Sequence, residues 1–256
     1  MVEFTDTHAH VYSEDFDKDA DDCFRRSISN QVTRVFVPNI DKDSIRGLKE
    51  ICQRYSENYF PMMGLHPCSV KDDYEKQLLI IYDEFISSNY YAVGEIGMDL
   101  YWDTSTFEIQ KRAFIEQAQW AIKNDLPVSI HSRNSTRELM DIIKEEKLCD
   151  LRGVFHCFTG NHTEALQLME MGFYLGIGGV VTYKNSTLPE TLLNVGLNNL
   201  VLESDSPYLP PTPHRGKRNE TANIPVIAQK LSEIFNTPME EIAEITTNNS
   251  IKVFKI

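Results

Sequence analysis

Short apolar runs alternate with amphipathic helical runs along almost the whole chain, and this alternation limits the fold more than any other feature. The short runs are Glu3–Thr7, Thr33–Val37, Tyr59–Met63, Tyr91–Gly94, Pro127–Ile130, Gly153–Phe155, Phe173–Ile177 and Leu200–Leu202, and they read as strands. Between them apolar residues recur at helical spacing. Phe16, Ala20, Cys23, Phe24 and Ile28 do so in Phe16–Asn30. Comparable runs are Ser44–Tyr55, Tyr74–Ser88, Phe107–Asn124, Thr136–Glu146, Thr163–Met171, Leu188–Val195, Ile224–Phe235 and Met239–Asn248. The last is preceded by Thr237-Pro238, a helix-start signal.

Strands separated by helices predict an α/β protein, a TIM-like (β/α)₈ barrel formed as a single domain over residues 1–256. The structural rival is an open, doubly wound sheet. The positions of the chemically active side chains decide between the two. His8 and His10 follow the first strand, Glu95 ends the fourth, His131 the fifth and His156 the sixth, and Asp205 follows the eighth. In a barrel all these strand ends converge on one mouth; in an open sheet the outer strands lie too far apart to share an ion.

Imidazole nitrogens and carboxylate oxygens are ligands for divalent transition metals. Six such groups exceed the needs of one tetrahedral ion and suit a two-metal hydrolytic centre, with zinc, manganese, iron or magnesium as the candidates. His8 and His10 are two apart on an extended segment, so both face the same way and can clasp one ion. Glu95 has two oxygens with which to bridge two ions, and Gly94 and Gly97 beside it permit a close backbone approach. Asp205 is placed to bind an ion and to accept a proton from the attacking water; Glu95 and Asp205 are therefore the catalytic candidates. Glu203, two residues earlier, either orients a ligand from behind or forms a buried salt bridge.

The net charge of −13 disfavours broad, non-specific nucleic-acid binding, although a locally basic mouth can still hold a phosphate. His66, Arg133, Lys184, Arg215, Lys217 and Arg218 are the candidates for that contact, and Tyr101, Trp102 and Tyr208 can stack a base. The five cysteines, Cys23, Cys52, Cys68, Cys149 and Cys157, include no CxxC pair, which fits a reducing compartment. Cys157 adjoins His156, but neighbours on a strand point to opposite faces, which argues against a Cys–His nucleophile. The first residues, Met1-Val2-Glu3-Phe4-Thr5-Asp6, lack a basic and apolar leader, and no apolar stretch is long enough to cross a bilayer. A cytoplasmic location is expected, without a membrane and without an obligate protein partner.

The chain resembles the TatD family of metal-dependent deoxyribonucleases, within the amidohydrolase-like barrels. The resemblance rests on Asp6-Thr7-His8-Ala9-His10, Gly64-Leu65-His66-Pro67, Gly94-Glu95-Ile96-Gly97-Met98-Asp99, Ile130-His131-Ser132-Arg133, Phe155-His156-Cys157-Phe158-Thr159-Gly160, Glu203-Ser204-Asp205-Ser206-Pro207-Tyr208-Leu209 and Arg215-Gly216-Lys217-Arg218-Asn219-Glu220. It implies a TIM-like barrel with two divalent ions: His8, His10, Glu95 and Asp205 on the first, Glu95, His131 and His156 on the second. It implies hydrolysis of DNA phosphodiesters by 3′-exonuclease action. Single-stranded ends are the expected substrate, because a strand end enters a barrel mouth more easily than an intact duplex does. Ser204, Ser206 and Met98 depart from the family's usual residues without being ligands, and Ile177–Asn185 is a looser match. The rival activity is hydrolysis of a small ester, lactone or amide, because the same centre polarises a carbonyl as well. A non-enzymatic, metal-retaining scaffold would need a ligand to be missing, and none is.

Overall fold

In the computed structural model, which describes residues 3–256, eight parallel strands lie side by side in chain order: β1 (Phe4–Asp6), β2 (Val32–Pro38), β3 (Tyr59–Met63), β4 (Ala92–Asp99), β5 (Val128–Arg133), β6 (Gly153–Phe155), β7 (Tyr174–Ile177) and β8 (Leu200–Leu202). Met1 and Val2, the start of the segment read for a leader, lie outside the described residues. Hydrogen bonds just beyond the last strand bring it back to the first. Thr7 N–H donates to the Leu202 carbonyl (2.9 Å), Asp205 N–H to His8 (2.9 Å) and His10 N–H to Ser206 (2.7 Å). The barrel expected from the sequence is the fold found.

The strands separate two apolar layers by simple alternation. Val35, Met63, Val93, Phe155, Leu200 and Leu202 pack outward against the helices. Their neighbours Phe36, Met62, Ala92, Val154 and Val201 form a second cluster inside the barrel. Burial on both faces explains why the strands are near-continuous apolar runs. The helices are α1 (Ala20–Ser29), α2 (Ile45–Arg54), α3 (Tyr74–Ser87), α4 (Phe107–Lys123), α5 (Thr136–Glu145), α6 (His162–Glu170), α7 (Leu188–Val195), α8 (Ile224–Phe235) and α9 (Met239–Phe254). None is long and apolar enough to cross a membrane.

Three elements differ from the sequence expectation, each for a tertiary reason. The first helix does not start at Phe16; a short 3₁₀ turn at Glu14–Phe16 comes first. Asp19 there has extended φ, and its carboxylate is taken by Arg218 and Arg26. The last helix runs on to Phe254, because Val253 and Phe254 close the bottom of the barrel and Phe254 stacks on Phe36 at 3.8 Å. Strand β4 does not end near Glu95 but continues to Asp99, with a register shift against β5 between Val93 and Ile96. That irregularity places Glu95 mid-strand.

Candidate metal centre

The seam between β1 and β8 assembles the first half of the site. Asp6 Oδ1 accepts from His8 N–H (3.2 Å) and Ser204 N–H (2.9 Å), so one buried carboxylate ties together the two chain segments that carry His8, His10 and Asp205. Asp205 has a left-handed backbone (φ 54°), an uncommon conformation for a non-glycine residue. Alternation on the other strands supplies the second half. Ser129 faces inward, and so does His131 two residues later; Val154 faces inward, and His156 follows at the same interval.

Glu95 is the centre of the arrangement. Its Oε2 lies 3.1 Å from His8 Nε2 and 3.4 Å from His10 Nε2. Its Oε1 lies 2.8 Å from His156 Nε2, 2.9 Å from His131 Nδ1 and 3.2 Å from His66 Nε2. Asp205 Oδ1 is 3.8 Å from His10 Nε2 and 4.0 Å from His8 Nε2. The rings of His8 and His156 stack at 3.9 Å, joining the two groups.

Polar side chains behind the imidazoles fix their orientation, which is how metal-binding histidines are held. Ser129 Oγ is 3.0 Å from His8 Nδ1, and Asp99 Oδ2 is 3.0 Å from His131 Nε2. Glu203 Oε1 is 3.6 Å from His156 Nδ1 and accepts the Cys157 N–H. A Cβ at Gly176 would come within 2.0 Å of Glu203 Oε2, so only glycine leaves room for that carboxylate.

Burial and neighbouring charge set the protonation of the cluster. Burial opposes the Glu95 carboxylate, yet the imidazoles of His156, His66 and His8 outweigh it and hold its pKa well below the usual carboxylate range. Burial pushes Asp205 up to about 6. Burial also lowers His8 and His66. For His131 and His156 burial is overcome by their carboxylates, Asp99 and Glu95 for the first, Glu95 and Glu203 for the second, and both are raised. Burial and then the charges of Asp205 and Glu203 push the Cys157 thiol far up, which suits a packing residue and not a nucleophile.

The donor set fits divalent cations. His8 Nε2 and His10 Nε2 stand 3.3 Å apart and converge on one oxygen of Glu95; His131 Nδ1 and His156 Nε2 stand 3.3 Å apart and converge on the other. Two groups of three ligand atoms, His8–His10–Glu95 and His66–Glu95–His131, gather within 4.8 Å, and His8, His156 and Asp205 form a third. Mixed imidazole and carboxylate donors match zinc, manganese or iron.

The structure brings together all six ligand candidates, and it revises the rim. His66 stands inside the cluster, its Nε2 3.2 Å from Glu95 Oε1 and its side chain 14% exposed; its Nδ1 accepts the Cys68 N–H. Arg133 lies exposed at the mouth over the Tyr101 ring, and Arg215 lies over Tyr183. Arg218 is committed elsewhere: its guanidinium binds Asp19 and Glu220 at 2.8 Å and covers the Phe16 ring. It staples the loop after β8 to α1 instead of standing free for a phosphate. Lys184 and Lys217 are exposed. Ser129, Asp99 and Asp6 were missed as participants. The signal for Ser129 was its position two residues before His131, while the irregularity in β4 hid Asp99.

The model of the family described as "TatD related DNase" matches residues 5–255. The chain belongs to this family. A relative from Bacillus subtilis, the metal-dependent hydrolase YabD, is 37% identical over 252 residues, covering 98% of both chains. The crystal structure of the TatD homologue YjjV from Escherichia coli superposes with a TM-score of 0.93 at 28% identity, covering 100% of this chain and 99% of that one. The human protein named deoxyribonuclease TATDN3 is 26% identical over 268 residues, covering 99% of this chain and 95% of its own. The protein is thus a metal-dependent hydrolase of the TatD family with histidine and carboxylate clusters able to bind metal.

Proposed function

We propose that the protein hydrolyses phosphodiester bonds at single-stranded DNA ends, as a 3′-exonuclease, through a centre holding two divalent ions. The observation that carries the two-ion reading is the division of Glu95, one oxygen facing His8 and His10, the other facing His131 and His156. His8, His10 and Asp205 would hold one ion with Glu95; His131 and His156 would hold the other, with His66 beside them. Such ions, when bound, acidify a water molecule and polarise a phosphoryl oxygen.

The chain's own residues prepare the rest. Asp205 is the least buried of the six ligand candidates apart from His131, and a carboxylate with a pKa near 6 is matched to taking a proton near neutral pH. Ser129, Asp99 and Glu203 keep the imidazoles oriented. The name of the human relative supports DNA as substrate, and the five free thiols support the cytoplasm as location.

The net charge of −13 favours a second reading, hydrolysis of a small ester, lactone or amide. One experiment separates them. Metal-reconstituted protein is analysed for ion content, then assayed on labelled single-stranded DNA and on a panel of lactones and amides. About two ions per chain with shortening of the strand is the expected result. Saturation below one ion per folded chain would remove the two-ion centre, and turnover of the panel without any DNA cleavage would replace the nuclease.

A further inference from the structure

Two exposed aromatic side chains stand beside the metal centre, and the centre uses neither. Trp102 is 70% exposed and Tyr101 54%. Their rings meet edge to face at 4.9 Å, and the Arg133 guanidinium lies 3.8 Å over Tyr101 and 5.2 Å from Trp102. This is a stacking surface with a cation already in place, the kind of surface on which unpaired bases settle.

Asp99 ties the surface to the chemistry. Its Oδ1 accepts the N–H groups of Tyr101 (3.0 Å) and Trp102 (3.2 Å), while its Oδ2 holds His131 Nε2. The two oxygens of one carboxylate thus fix the aromatic turn and a metal-ligand candidate together. Arg133 is registered by the same strand pair: it lies opposite Asp99 on β5, two residues past His131.

Between the surface and the centre lies a cavity of about 490 Å³. Tyr101 and Arg133 form its outer side, Phe155 and Phe158 supply apolar wall, Asn134 and Glu138 supply polar groups, and His156 marks its approach to the centre. The volume lies within the range of small-molecule sites.

We propose that this surface and cavity receive the base of the terminal nucleotide of a single-stranded DNA end, placing the adjoining phosphodiester at the metal centre. The inference rests on the nuclease reading above and adds to it a unit of recognition. A base that is paired in a duplex is not free to enter, so the subsite selects unpaired ends.

The chain has two tryptophans, and the other, Trp120, is buried against Tyr82 and Phe85, so emission sensitive to bases comes from Trp102. Zinc-reconstituted protein is titrated with a deoxythymidine octamer carrying a hydrolysis-resistant phosphorothioate at its last linkage, and with the same octamer lacking the terminal base. The complete octamer is expected to quench the emission and to bind about tenfold tighter, the size of one base stack. With cleavable octamers the same tenfold difference is expected in KM. Trp102→Phe should keep it, and Trp102→Ala and Tyr101→Ala should bring it towards one. Equal binding of the two octamers by the wild type, or an undiminished preference in both alanine variants, overturns the subsite while DNA cleavage still supports the nuclease. A metal-loaded wild type that cleaves a lactone but neither octamer overturns both.

Discussion

The two ends of the barrel are built from opposite materials. At the bottom, Phe36, Met62, Ala92, Val154 and Val201 meet Val253 and Phe254 in an apolar plug, and Phe36 stacks on Phe254 at 3.8 Å. At the top the same strands end in imidazoles and carboxylates that are equally buried: His8 at 0%, Glu95 at 1%, His156 at 5% exposure. Burial at the bottom releases water from apolar surface and stabilises the fold; burial at the top strips water from charges and costs stability unless a partner or an ion compensates. The difference teaches that the fold is held from below so that the mouth can be electrostatically strained, the usual division in barrels of this kind.

Mutations at each end are the way to break that division. The largest effect is expected at the mouth. Asp205→Asn keeps the shape but not the basicity, and should lower turnover by roughly 10²–10⁴-fold, the usual contribution of a general base. Its circular dichroism and melting should hardly change. Near-normal turnover by a metal-loaded variant would move the base role elsewhere, with Glu203 next. Phe254→Ala should do the reverse, costing about 3–5 kcal/mol of stability by leaving a cavity below the barrel. Denaturant unfolding measures that cost, while metal content and specific activity per folded molecule should stay as in the wild type. A parallel loss of metal in folded Phe254→Ala would show that the ends are not independent.

Smaller changes sharpen the comparison. Asp99→Asn weakens the support behind His131 and should reduce metal affinity about 10–100-fold, the scale for such outer partners. Titration with a competing chelator reads this directly, and an unchanged affinity would restrict Asp99 to holding the Tyr101–Trp102 turn. Acidification acts gradually, one proton at a time. Asp205, raised to about 6, and His131 and His156, also raised, hold protons that an incoming ion must displace. Metal affinity is therefore greatest above these values and falls as pH drops, first through the raised histidine range above 6.5 and then through the Asp205 range near 6, by about tenfold per pH unit for each proton displaced. Calorimetric titration from below 6 to well above 6.5 measures it. Affinity that rises on acidification would contradict the raised pKa values.

The same contrast explains which parts were legible beforehand. Strand runs such as Tyr59–Met63 and Leu200–Leu202 and helices such as Ile224–Phe235 carry their signal in local apolar period, and they lie where the sequence puts them. The six ligand candidates were legible for a related reason: histidine and carboxylate directly after an apolar run is a conspicuous combination, and parallel strands bring such positions to one end. Arg218 is not legible as a paired residue because a charged loop looks alike whether it meets solvent or, as here, Glu220 two residues on and Asp19, 199 residues away in sequence. The first helix starts later than its apolar period suggests for a related cause, since the Asp19 carboxylate binds the remote Arg218 as well as Arg26 and Cys23 of its own helix.

By itself, then, the sequence determined the order of strands and helices, the closed arrangement that their ligand-bearing ends require, and the residues that converge at the mouth. Periodicity and side-chain type are local properties, and they survive without knowledge of contacts. Only the tertiary structure decided that His66 lies within the cluster, that Asp99 serves both His131 and the Tyr101–Trp102 turn, and that α9 runs on to seal the bottom with Phe254. Each depends on a partner remote in the chain, and the energy of a buried polar or aromatic contact is set by where that partner comes to lie.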